Sequence, residues 1–191
     1  MLIDTGKRYT ESLTALKTEL SIGNVHALPR ITKVSVNVGL GLHRQNKDMV
    51  DYIEKTLTQI TGQKPVRTYA RKAIAGFKLR QNDLVGLRIT LRNQRLNDFL
   101  NRLINITLPR IRDFRGIDAK QFDKQGNLTL GFKDQVPFAE LGHDVLDRPF
   151  GLSMTITIKQ SDPQKSSILL KKLGFPMKIE EAPVGKSAQI R

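Results

Sequence analysis

"VGLRITLRNQRLNDFLNRLI", residues 85 to 104, changes its hydrophobic period half-way along. Val85, Leu87, Ile89 and Leu91 alternate with Gly86, Arg88, Thr90 and Arg92, which is the period of a strand with one apolar face. After Asn93, the apolar residues Leu96, Phe99, Leu100, Leu103 and Ile104 recur every three or four positions, one stripe of a helix that Pro109 is placed to end. A one-sided strand needs a cover, and a one-sided helix can supply it. The stretch therefore predicts an α+β two-layer sandwich.

The same two periods recur outward from it. "KVSVNV" (33–38) sets Val34, Val36 and Val38 against Lys33, Ser35 and Asn37, and "NLTLGF" (127–132) and "SMTITIK" (153–159) alternate likewise. Tyr9, Leu13, Leu16 and Leu20 form a helical stripe. A second helix runs from Asn46 as N-cap through Met49, Val50, Ile53, Leu57 and Ile60 to a stop at Gly62, and a last short one starts at Asp162-Pro163 and closes at Gly174. Four strands in a mostly antiparallel sheet, with helices on the apolar face, leave the other face polar, basic and open.

The chain has 191 residues, enough for one core, and is expected to form a single domain over residues 1–178 with a flexible extension over 179–191. Its net charge of +14 and pI near 10.2 imply a polyanionic partner. The excess is local: residues 61–120 carry +10, and residues 1–60 and 121–191 carry +2 each. Such a concentration reads as a binding face. Cysteine is absent, which excludes disulfides, thiolate chemistry and Cys-rich zinc sites. No apolar run approaches the roughly 18 residues of a membrane span, and the start "MLIDTGKRYT" lacks the features of a signal or transit peptide, so a soluble, unprocessed protein without membrane contact is expected.

Catalysis finds no parts. His26, His43 and His143 stand in separate predicted loops, none with a nucleophile or orienting acid at a useful spacing. Gly39 and Gly41 in "VGLGLHRQNKD" give G-x-G, but Arg44 replaces the third glycine of a dinucleotide loop, so the pair reads as chain reversal. Glu140, His143, Asp144 and Asp147 have metal-ligand side chains but read as a surface loop of acidic residues with one histidine, since no second cluster completes a metal shell. No enzyme activity, cofactor or metal is expected. The polar positions of the strands carry no aromatic residue, so the sheet lacks a base-stacking platform and suits 2′-hydroxyls and phosphates of folded RNA.

"LTQITGQKPVRTYARKAIAGFKLRQ" (57–81) and "LPRIRDFRG" (108–116), with "PRITKVSVNVGLG" (29–41), "LRITLR" (87–92), "RPFGLSMTITI" (148–158) and "LLKKLGFPMK" (169–178), resemble the bacterial-type large-subunit ribosomal protein five family over nearly the whole chain. The resemblance implies a ribosome-bound structural protein of the central protuberance, in the cytoplasm or an organelle, with 5S rRNA on its open sheet face. Matched motif by motif, it implies 5S rRNA contacts by Asn37, Gln63 and Thr90, with Lys33, Lys64 and Arg92 as nearby phosphate-binding cations. The family's basic loop toward P-site tRNA falls on residues 70–81, with Arg71, Lys72, Gly76, Phe77, Lys78 and Arg80 as its tRNA-binding residues. Residues after "PRIRDFRG" and around 134–147 look like the side that bridges to a small-subunit head protein, and large-subunit rRNA is a further implied partner.

The sequence departs from the family at Leu20 and Ile22, where aromatics are common, at Asn93, where a glycine often follows "TLR", and at "DRPFG", where a shorter "RG" is usual. From pattern alone, residues 70–81 read as a mobile loop running into a short strand, because Phe77 and Leu79 alternate with Lys78 and Arg80. A free RNA-binding assembly factor or regulator using the same face is the alternative function.

Overall fold

The computed structural model describes residues 16, 17, 19, 20, 22, 24–41, 43, 46–112, 114–141 and 148–178. Five strands, β1 (Arg30–Gly39), β2 (Val66–Tyr69), β3 (Leu84–Leu91), β4 (Leu128–Phe132) and β5 (Leu152–Lys159), form one antiparallel sheet in the order β2-β3-β1-β5-β4. The alternation seen in the sequence becomes a set of cross-strand rungs. Leu91, Val34, Ile156 and Leu128 are successive partners on the apolar side, and Ile89, Val36, Met154 and Leu130 make the next rung. All eight are buried, and each such side chain contributes about 1.5–3 kcal/mol through its removal from water.

Among the described residues, three longer helices cover that side. α1 (Lys47–Thr61) begins at Asn46, whose Oδ1 accepts the Met49 N–H at 3.1 Å, and ends at Gly62 with φ 68°, as its sequence predicts. α2 (Asn93–Arg102) buries Leu96, Phe99 and Leu100, and α3 (Pro163–Leu173) buries Leu169, Leu170 and Leu173 before Gly174 caps it. Their stripes join the strand residues in one continuous apolar cluster that runs from Leu16 to Phe175. Of the expected first helix, Tyr9 and Leu13 lie outside the described residues, Leu16 is fully buried, and Leu20 packs at the margin of the core.

Four features differ from the sequence reading. The sheet has five strands, not four: β2 is an edge strand exposed at three of its four residues, so it has no buried face to impose an alternation. Val85, assigned to the apolar face, is exposed because it lies near the start of β3, at the limit of the core. Pro109 does not end the third helix; the coil continues from α2 through a π turn (Leu103–Thr107) into a final turn (Leu108–Arg110). The Leu108 N–H closes the π turn on the Leu103 carbonyl, so the backbone bonding shifts register just before the proline, which stands in the first turn of the piece that follows. Finally, no strand forms over residues 77–80. Ile74 and Leu79 instead bond each other reciprocally at 2.9 and 3.1 Å across a 3-10 turn (Ala75–Phe77).

Candidate nucleic-acid interface

The sheet register fixes what the open face presents. Opposite the apolar rungs, Thr90, Ser35, Thr155 and Thr129 are successive partners, and Arg88, Asn37, Ser153 and Gly131 form the rung beside them. Nothing in the first rung is larger than threonine, and Ser35 is only 6% exposed because it is flanked by Thr90 and Thr155. The Thr129 and Thr155 hydroxyls lie 3.2 Å apart, and Ser153 Oγ donates to the Asn37 carbonyl at 3.4 Å. The centre of the face is thus a flat floor of hydroxyls and one amide. With strands about 4.8 Å apart, the four-residue rung is about 14 Å wide.

Cations stand at the ends of this floor. Lys33 is the partner of Thr157, and the register Val34↔Leu91 continued by one residue sets Lys33 beside Arg92. A bulge at Thr32, whose Oγ1 bonds the Thr157 carbonyl at 3.2 Å, returns Arg30 to the same side, opposite Lys159. Arg30 also meets His26 Nδ1 at 2.9 Å. Arg88 lies at the other end, beside Asn37. The outward positions of the five strands include no Asp or Glu. Among the described residues, no acid forms an ion pair with Lys33, Arg88 or Arg92. Adjacent like charges repel, so the face carries an electrostatic cost that an anion relieves.

Gln63 and Lys64 occupy the turn from α1 into β2. Gln63 Oε1 accepts from Arg95 Nη1 at 3.4 Å, which ties the turn to the first turn of α2, next to Arg92. Val66 is the partner of Arg88, so the same register carried two residues back sets Lys64 level with Thr90. The structure therefore brings Lys33, Asn37, Gln63, Lys64, Thr90 and Arg92 to one face and its margin. Lys64 reaches Glu54 only loosely, at 3.8 Å, with its side chain 82% exposed. Arg67 is committed instead: Glu54 Oε2 takes its Nε and Nη2 at 2.9 and 2.7 Å, Asp51 lies 3.1 Å away, and the Glu54 hydrogen bonds and charge raise its pKa.

Arg30, Arg88, Lys159, Ser153, Thr155, Thr157 and Thr129 also belong to this face, beyond the site residues expected from the sequence. The strand phase alone marks Arg88 and the β4 and β5 hydroxyls. Lys159 continues the phase of Ser153, Thr155 and Thr157, and Arg30 alone required the bulge, which leaves no mark in the hydrophobic pattern.

The loop between β2 and β3 is a closed arm that continues the hairpin past its last strand pair, Tyr69↔Leu84. Its neck is pinned by Ala70 N–H to the Asp83 carbonyl and Asn82 N–H to the Ala70 carbonyl, both 2.9 Å, and Asp83 Oδ2 accepts the Arg80 N–H at 2.9 Å. Arg71, Lys72, Gly76, Phe77, Lys78 and Arg80 all lie on this arm, and Lys78 takes a left-handed φ of 49° to reverse the chain. Glu140 is held by Arg102 Nε at 2.6 Å, and Arg102 Nη2 also bonds the Ile60 carbonyl at 3.0 Å. His143, Asp144 and Asp147 lie outside the described residues. Among the described residues no group of three or more His, Asp or Glu is placed to hold a metal ion.

An acid-free sheet face of hydroxyls, amide and cations is complementary in chemistry to 2′-hydroxyls and phosphates. Comparison with known proteins gives the family. Residues 24–80 match the family described as "Ribosomal protein L5", and residues 84–177 match the model that describes the C-terminus of that same ribosomal family. The chain is 45% identical over 173 residues to large ribosomal subunit protein uL5c of Paulinella chromatophora, covering 90% of this chain and 97% of the relative. It is 46% identical over 163 residues to large ribosomal subunit protein uL5 of Psychrobacter sp. (strain PRwf-1), covering 85% and 92%. The chain belongs to the ribosomal protein L5 family. It is a structural constituent of the large ribosomal subunit rather than an enzyme.

Proposed function

We propose that the open sheet face binds 5S rRNA in the central protuberance, that the β2–β3 arm contacts P-site tRNA, and that the flank around residues 134–147 meets a protein of the small-subunit head. The observation that supports the first part most is the acid-free face with Lys33 beside Arg92 and, among the described residues, no acid paired to either. A-form RNA offers a wide, shallow minor groove lined with 2′-hydroxyls, to which a flat floor of Ser35, Asn37, Thr90 and Thr155 is complementary. Lys33, Lys64, Arg88 and Arg92 then hold phosphates at the edges, which position the RNA without reading its sequence.

The arm continues the β2–β3 hairpin past its last strand pair, Tyr69↔Leu84, so its cations stand beyond the ends of the strands. At the third surface, buried Gln135 holds the Phe150 N–H at 2.9 Å and the Arg148 carbonyl at 3.0 Å, fixing the entry and exit of the flank. The continuous core, which among the described residues runs from Leu16 to Phe175, supports the reading of one domain.

Two variants separate the surfaces. Thr90→Glu should lose 5S rRNA binding with its thermal unfolding unchanged, since Thr90 points away from the core. Deletion of residues 72–79, bridged by a short Gly linker, should keep 5S rRNA binding and weaken P-site tRNA retention on assembled ribosomes. A deletion that abolishes 5S binding and spares tRNA retention would move the arm onto 5S rRNA.

A further inference from the structure

A cleft of about 370 Å³ opens where β1 begins and β3 turns into α2, at the end of the sheet that carries Lys33 and Arg92. Leu96 and Leu100 of α2 and Leu173 at the end of α3 give it apolar walls, and Thr32, Asn93 and Asn97 give it polar ones. Asn93 and Asn97 stand one helical turn apart, so their side chains serve the same side of α2. Among the described residues, neither side-chain amide has a hydrogen-bond partner. The cleft adjoins the open face through the chain itself. Thr32 precedes Lys33 and Asn93 follows Arg92, and among the described residues no acid pairs with either cation. An occupant has to suit the apolar walls, the two amides and the neighbouring cations together. A leucine or isoleucine side chain of another protein would leave the amides and the cations without partners. An unpaired nucleobase meets the walls with its ring, the amides with its polar edge and the cations with its own phosphate. The volume lies in the usual range of small-ligand pockets, about 300–1,000 Å³.

We infer that an unpaired base of the RNA seated on the sheet turns out of its strand into this cleft, where Asn93 and Asn97 bond its edge while Lys33 and Arg92 hold its phosphate. The inference rests on the open face being the 5S rRNA seat, and it gives that seat a contact that reads a base. The hydroxyl floor and the cations alone carry no sequence information. The two kinds of contact differ in their response to salt. Phosphate contacts weaken as salt rises, because binding gains less from counterion release, while the amide and ring contacts have no such dependence.

The test measures 5S rRNA affinity of the full chain at two monovalent salt concentrations and probes the bases of the bound RNA with dimethyl sulfate for A and C and a carbodiimide for G and U. It compares the parent with Asn97→Leu, with Asn97→Ala, and with Lys33→Glu and Arg92→Glu together. Asn97 is exposed, so its variants should unfold at the parental temperature. Asn97→Leu should lower affinity roughly five-fold or more, by the same factor at both salts, and a base shielded in the parent complex should become reactive. Asn97→Ala should lose about three-fold. The charge variant should lose most at low salt. Parental affinity and shielding in both Asn97 variants, beside a weakened charge variant, overturns the base contact alone. So does a loss of affinity in which no base regains reactivity, because Asn97 would then touch only the RNA backbone. If the charge variant also matches the parent, the reading of the face as the 5S rRNA seat falls with it. Should Asn97→Leu unfold at a lower temperature, Asn97→Ala decides by the same two readouts.

Discussion

Asn93 carries a φ of 53° where β3 turns into α2. This left-handed region costs most L-residues about 1–2 kcal/mol, and Asn is one of the few that visits it routinely. Asn93→Gly should therefore fold with stability equal to or above the parent, and Asn93→Val should lose about 1–2 kcal/mol by chemical denaturation. At Asp123, slight burial raises the carboxyl pKa, but hydrogen bonds from the Asn127 side chain, the Asn127 N–H and the Gln125 N–H together hold it below its usual value. A carboxyl with a depressed folded pKa contributes stability that is present above its unfolded pKa of about 3.9 and is lost as pH falls through the folded value. The thermal midpoint of the parent should exceed that of Asp123→Asn at pH 7, and the gap should narrow as pH falls from about 4 towards 2. A gap independent of pH would remove the ionised Asp123 from the account.

At the scale of elements, one buried polar tie can be tested by itself. Gln135 is fully buried and accepts the Phe150 N–H with its side-chain carbonyl. Gln135→Ala should cost about 1–3 kcal/mol, because it strands a buried donor; denaturation within a few tenths of the parent would mean that water replaces it. Buried faces also decided what was legible in the sequence. β1, β3, β4 and β5 each have one buried side, and α1 and α3 have a stripe between a cap and a glycine, so their patterns are plain. β2 is exposed on both sides and left no pattern. The π turn before Pro109 changes the coil without changing which residues are apolar, so the proline read as a stop. In the arm, Phe77 and Leu79 alternate with cations, yet backbone bonds between Ile74 and Leu79 set the conformation, and hydrophobic period carries no record of those bonds.

Across the whole molecule, the charge excess of residues 61–120 was visible from composition, but its arrangement needed the sheet. Arg88 and Arg92 come from one strand phase, whereas Lys33 meets Arg92, and Arg30 meets Lys159, only through register across β1. The central claim is that this face is an electrostatic seat for 5S rRNA built on side chains that do not support the core. It is tested most directly by 5S rRNA affinity as a function of salt, with thermal unfolding alongside, for the parent and for Lys33→Glu with Arg92→Glu. If about five phosphates are neutralised, the parent should show a log–log salt slope of about −4 to −5, by analogy with duplex binding. The double variant should bind more weakly, with a slope shallower by about two, and unfold at the same temperature as the parent. Unchanged affinity and slope, or a double variant that no longer folds, would contradict the account.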